Sequence, residues 1–113
     1  MTLIYVYQGR NIEKDITLVD ANGDTITPDA GNIIRAIIGR IGEAAKLIVT
    51  SSAATANGSS FTKGAANRLK LTAADLSAID PGTYSLMIDL WDSADSAWKE
   101  VDRQVIHIEG KEG

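Results

Sequence analysis

The sequence holds no cysteine, one histidine, one phenylalanine and two prolines among its 113 residues. Without cysteine there is no disulfide scaffold, no thiol nucleophile and no cysteine-ligated zinc or iron–sulfur centre. The single histidine, His107, cannot complete the common zinc sites. Aromatic residues make up only 5%, so stacking platforms for single-stranded nucleic acid are scarce. No apolar run approaches the roughly 20 residues that span a bilayer. The start, Met1 to Tyr7, lacks the basic segment, long apolar stretch and small-residue cleavage site of a secretory signal. The expectation is one soluble domain over 1–113, with a short tail at 110–113 and no cofactor. Its length leaves no room for a second domain, and a core can form without metal or disulfide.

Charge is unevenly spread along the chain. The net charge is −4, distributed as −3 over residues 1–31, +5 over 32–70 and −6 over 71–113. Overall acidity, with a pI near 4.8, argues against sequence-independent nucleic-acid binding. Arg35, Arg40, Lys46, Lys63, Arg68 and Lys70 supply the basic middle. Two readings apply to them: solvent-facing strand ends paired with acidic neighbours, or a patch that meets the acidic C-terminal part of another copy.

Two-residue periodicity dominates. Leu3 to Tyr7 is β-branched and aromatic on both faces. Ile12, Lys14, Ile16 and Leu18 share one face of the next run, with Lys14 expected at its open end. Asn22-Gly23 reads as a tight turn, because glycine tolerates the positive φ such turns require. Ile34, Ala36 and Ile38 form the inward face of a core strand, and Ile33, Arg35 and Ile37 the face nearer water. Segment 51–60 has only small side chains and no charge, so it is expected to be a flexible loop. Thr72 followed by Asp75 is a helix start, cut short by Asp80-Pro81-Gly82. Tyr84, Leu86, Ile88 and Leu90 alternate cleanly inward. In the closing strand, 97–109, the apolar residues change phase, which predicts a β-bulge between Asp102 and Val105 or burial of both faces. Together these predict an all-β antiparallel sandwich of about seven or eight strands, with one short helical turn near 73–79.

Chemistry-bearing constellations are few. His107 sits between Ile106 and Ile108 without a nucleophile elbow or an oxyanion loop nearby in sequence. Asp20 to Asp24 opens like a calcium loop, but the sixth position is Thr25 and the twelfth is Gly31. Asp89, Asp92 and Asp95 surround a turn, where aspartate is a standard residue. The expectation is no enzyme and no metal site. Trp91 lies out of phase with the inward set and Trp98 lies across the Asp92–Ser96 turn. One or both either cap the end of the sandwich under a loop or, as exposed aromatics do, enrich a contact surface. Leu3 to Tyr7 and 105–108 look like apolar sandwich edges that invite pairing with another subunit. The candidate interface is therefore Leu3, Tyr5, Tyr7, Trp91, Trp98, Val105 and His107, in a homo-oligomer.

Several motifs occur in a telling order. They are Ile16 to Gly23, Ile33 to Ile38, the small-residue loop 51–60, Leu71-Thr72-Ala73-Ala74-Asp75-Leu76, Pro81-Gly82-Thr83-Tyr84 and the Trp91–Trp98 hairpin. This series resembles the immunoglobulin-like N-terminal domain of phage baseplate upper proteins and prophage tail proteins, over most of 10–109. The resemblance implies an immunoglobulin-like sandwich and a structural or assembly role in a virion component made in the host cytoplasm. Its partners would be other virion or tail proteins, with neither nucleic acid nor membrane. No catalytic residue carries over from it. The competing expectation is a small binding module, for carbohydrate, using the two tryptophans.

Overall fold

The computed structural model describes residues 3–19, 22–28, 31–63, 67–94 and 96–110. The chain runs through β1 (Leu3–Tyr7), β2 (Ile12–Ile16), β3 (Leu18–Val19), β4 (Thr25–Ile26), β5 (Asn32–Gly39) and β6 (Leu47–Thr50). It continues through β7 (Ser60–Thr62), β8 (Asn67–Leu71), α1 (Ala73–Ser77), β9 (Gly82–Asp92) and β10 (Ala97–Glu109). A five-stranded sheet has the order β1-β10-β9-β5-β6, a three-stranded sheet the order β2-β8-β7, and β3-β4 form a small ribbon. This is the expected all-β sandwich, with ten strands among the described residues in place of seven or eight, the short β3–β4 ribbon supplying two of them. Its pairs are antiparallel except that β1 runs parallel to β10. Those two strands come from opposite ends of the chain, so no hairpin imposes direction on them. Among the described residues no helix is long and apolar enough to cross a membrane.

The core lies between the inner faces of the two larger sheets. Ile34, Ala36, Ile38, Leu86 and Ile88 are fully buried. They sit side by side in one sheet, with Ile34 opposite Leu90, Ala36 opposite Ile88 and Ile38 opposite Leu86. Ile16, Phe61, Leu69 and Leu71 meet them from the smaller sheet, with Leu76 and Ile79 from α1 and the turn after it. Burying each large aliphatic side chain contributes about 1.5–3 kcal/mol.

Lys14 is not at an open end. It lies mid-strand in β2, opposite Leu69, and is nevertheless exposed. Because β2 is an edge strand, its ammonium reaches water around the edge, and a charge placed there also deters pairing with another sheet. The Asn22-Gly23 turn forms as expected: Gly23 has φ 85° and joins β3 to β4, with Val19 opposite Thr25. Asp20 and Ala21, the start of the calcium-like segment, lie outside the described residues.

The phase change in β10 is a bulge, at Val101 instead of within 102–105. Glu100 faces Asp89 and Asp102 faces Ile88, so Val101 is the extra residue, and it packs against the core. The bulge brings even-numbered Trp98 and odd-numbered Val105 and His107 onto the same side of the sheet. It also turns Asp102 and Gln104 inward, opposite Ile88 and Leu86. Gln104 donates from Nε2 to Asp102 Oδ2 at 2.7 Å, while its Oε1 is buried without a partner. β10 is not an edge, since β1 and β9 flank it; of the two expected edges only β1 is one.

Segment 51–60 has a hydrogen-bonded frame that its composition did not announce. Thr72 caps α1, its hydroxyl accepting from the Asp75 amide. Asp75, 6% exposed, in turn accepts from the Thr55 hydroxyl at 2.6 Å and from Asn57 Nδ2 at 3.0 Å. Ser59 is fully buried, and its hydroxyl accepts from the Thr72 amide at 3.0 Å. Burial pushes the Asp75 carboxyl up, but hydrogen bonds from Ser59, Thr55, Asn57 and Thr72 outweigh it and hold the group below its ordinary range.

Candidate interaction face

All seven residues singled out in the sequence project from one surface, the outer face of the five-stranded sheet. Inward and outward positions alternate along each strand, and the register aligns the outward ones in rows. Leu3 neighbours Val105, Tyr5 neighbours His107 and Tyr7 neighbours Glu109. At the other end Trp98 faces Trp91, which faces Ile33. Between them Ile37 links Met87 and Ile48. Leu3, Tyr5, Tyr7 and Ile48 are 50%, 57%, 48% and 48% exposed. Sequence reasoning missed Ile48 and Met87. Ile48 lies within an unbroken apolar run, Leu47-Ile48-Val49, that carries no phase of its own.

Polar groups on this face are tied to one another. Arg35 pairs with Asp89 at 2.9 Å and lays its guanidinium 3.9 Å over the Trp98 ring. Trp98 and Trp91 are 5.5 Å apart with planes inclined by 57°. Stacked cation, tilted rings and half-burial leave no open aromatic platform of the kind the apolar C–H face of a sugar covers. Arg103 pairs with Glu100 at 2.7 Å. Arg10 stands 5.5 Å from the Tyr7 ring.

His107 joins a hydroxyl and a carboxylate. Its Nδ1 lies 2.8 Å from Thr83 Oγ1 and its Nε2 2.8 Å from Glu109 Oε1. With the proton on Nε2, Glu109 accepts and the Thr83 hydroxyl donates to Nδ1. The order hydroxyl–imidazole–carboxylate is that of a relay, but it lies across three positions of a regular sheet. Thr83 faces His107 within the β9–β10 ladder, where backbone amides lie in the plane of the sheet and not toward a substrate above it. The arrangement orients the imidazole, whose ring centre lies 5.4 Å from that of Tyr5 with the planes inclined by 65°.

Other candidates are not brought together. Asp89 is held by Arg35, Asp92 Oδ1 accepts from the Ala94 amide at 3.0 Å, and Asp95 lies outside the described residues. Among the described residues no cluster of three or more histidine, aspartate or glutamate side chains could hold a metal. The basic middle is dispersed over both sheets. Arg35 is on the larger one, Arg68 pairs with Asp15 at 2.9 Å on the smaller one, and Arg40 stands 4.4 Å over Tyr84. Arg35, Arg68 and Arg40 have the acidic partners of the paired-neighbour reading, Arg40 through Glu43 at 4.0 Å, although Arg35 lies mid-strand and not at a strand end. They form no single patch to meet the acidic end of another copy. A cleft of about 530 Å³ opens between the β3–β4 ribbon and the β9–β10 hairpin, lined by Val19, Ile26, Leu90, Val101, Asp92, Lys99 and Glu100.

No protein-family model and no curated protein matches the chain.

Proposed function

We propose that the chain is a non-enzymatic structural and assembly module of a phage-type particle, of tail or baseplate kind, that docks through the outer face of its larger sheet. The observation that carries this reading is the gathering of Leu3, Tyr5, Tyr7, Trp91, Trp98, Val105 and His107 on that single face. A contiguous exposed apolar surface is the usual mark of a protein contact. The motif order that resembles baseplate upper proteins supports the particle setting and the immunoglobulin-like fold. Those motifs also sit at structural joints: Thr72 caps α1, and Gly82 opens the longest inward-facing alternation. The tilt of the tryptophan pair and the guanidinium on Trp98 weigh against the carbohydrate reading.

The test is mass spectrometry of gradient-purified particles from the source cells. The expected result is this chain present in fixed ratio to the other particle proteins. Its absence from particles, with abundant free protein in the lysate, would refute the assignment.

A further inference from the structure

We infer that the partner on this face is a second copy of the chain, packed sheet to sheet about a two-fold axis. This rests on the docking face just described and names its occupant.

Two observations select a copy over a charged partner or an added strand. The first is electrostatic. Arg35 is matched by Asp89 and Arg103 by Glu100 on the same face, and the charges of Arg10, over the Tyr7 ring, and Glu109, bonded to His107, offset each other. A chain of net charge −4 thus presents a nearly neutral face, where like can approach like without repulsion. Nucleic acid, anionic lipid or a strongly charged protein would find nothing complementary there.

The second is area. Strands about 4.8 Å apart, rising about 3.3 Å per residue, give the five-stranded face roughly 650 Å² in projection. Side-chain relief brings the accessible area toward the roughly 800 Å² per partner of a standard stable interface. Edge-to-edge pairing of β1 would engage only five residues, and an isolated two-strand pairing is marginal in water. Aligned packing of two twisted sheets at about 10 Å separation accommodates the half-exposed aromatics between them.

The experiment uses the full chain in sedimentation velocity from micromolar to near-millimolar concentration. The mass should double, and high salt should not weaken the association. Both tryptophans lie on the face, so their quenching by acrylamide should fall as the dimer forms. Tyr5→Glu, at an exposed position, should weaken association about tenfold or more while the circular dichroism is unchanged. Because the chain has no cysteine, Met87→Cys gives one thiol at the centre of the face. A short bifunctional thiol reagent should link two such copies, and should not link Arg68→Cys on the smaller sheet. A monomer at every concentration would overturn the inference, as would a dimer that Tyr5→Glu leaves intact or that cross-links only through Arg68→Cys. A monomer that is still found in particles would refute the second copy and leave the assembly role standing. A dimer absent from particles would do the reverse.

Discussion

The two sheets of this sandwich turn very different outer faces to water. On the smaller sheet Glu13 lies opposite Lys70 and Asp15 opposite Arg68, so cross-strand pairs of opposite charge cover it. That is the ordinary solution for an antiparallel sheet with one solvated face. On the larger sheet the equivalent positions hold Tyr5, Val105, Met87, Ile37, Ile48, Trp91 and Trp98. Both inner faces contribute buried apolar side chains to one core, so burial in the core does not explain the contrast. Side chains that remain half exposed gain little from folding the single chain. On the docking proposal, it is a partner that covers their cluster.

The largest expected effect separates the two sides of one strand pair. Ile88 and Met87 are neighbours on β9, opposite Ala36 and Ile37. Ile88→Ala should destabilise the fold by about 2–5 kcal/mol, as loss of a fully buried aliphatic group does. Ile37→Ala, on the outer side, should cost about 1 kcal/mol or less in dilute, monomeric protein. Urea unfolding checks both. Equal losses would mean that the outer face is already covered within one chain, and the contrast between the sheets would collapse.

Next comes Asp75, where segment 51–60 is attached beneath the sandwich edge. Asp75→Ala removes the acceptor for Thr55 and Asn57 and should cost about 1–3 kcal/mol. The folded carboxyl is held below its ordinary value, so the folded state binds fewer protons than the unfolded one in acid. Its stabilisation is therefore complete above about pH 4–5, near and above the unfolded pKa, and is lost as pH falls through the lower folded value. Hydrogen exchange within 51–60 should be slow near neutrality and faster in Asp75→Ala. Equal exchange in both proteins would show that the frame does not hold the segment. A smaller change is expected near the bulge. Gln104→Met removes the unpartnered buried oxygen but also the donor to the Asp102 carboxylate, so the two effects oppose and the net change in urea unfolding should stay within about 1 kcal/mol.

Much of this architecture was legible in the alternation. Tyr84 to Leu90 declares its inward face because Ser85 and Asp89 stand in the opposite phase, and in Ile34 to Ile38 it is Arg35 alone that marks the outer side. Thr72 and Asp75 declare the cap. The outer face was legible only as seven scattered residues, because their union depends on two facts that are not local. One is the bulge at Val101, which changes the parity of β10 by one residue. The other is the parallel docking of β1 on β10, a contact between chain ends that no turn foreshadows. Composition was silent about the frame at 51–60 for a similar reason: small hydroxyl side chains bury little area, but Thr55, Asn57 and Ser59 meet a carboxylate that arrives from a helix later in the chain. Segment charges named the basic side chains but not their partners: Arg35 takes Asp89 and Arg68 takes Asp15, both distant in sequence.

The smallest expected effect is on the smaller sheet, and it bears most directly on the contrast. Arg68 donates to Asp15 in an exposed pair, and the hydrogen bond and charge of Asp15, with Glu13 nearby, raise its guanidinium above its ordinary value. That ordinary value already keeps it charged at any working pH, so the shift has no consequence for stability near neutrality. Exposed pairs of this kind are screened by water and salt. Arg68→Ala should therefore leave the melting temperature within the scatter of repeated thermal scans and leave sedimentation unchanged. Met87→Lys, one charge placed on the other face, should also spare the melting temperature of dilute protein but abolish self-association. If Arg68→Ala were the variant that dissociated the protein, the roles of the two faces would be reversed: the charged face would be the contact and the aromatic one a solvent surface.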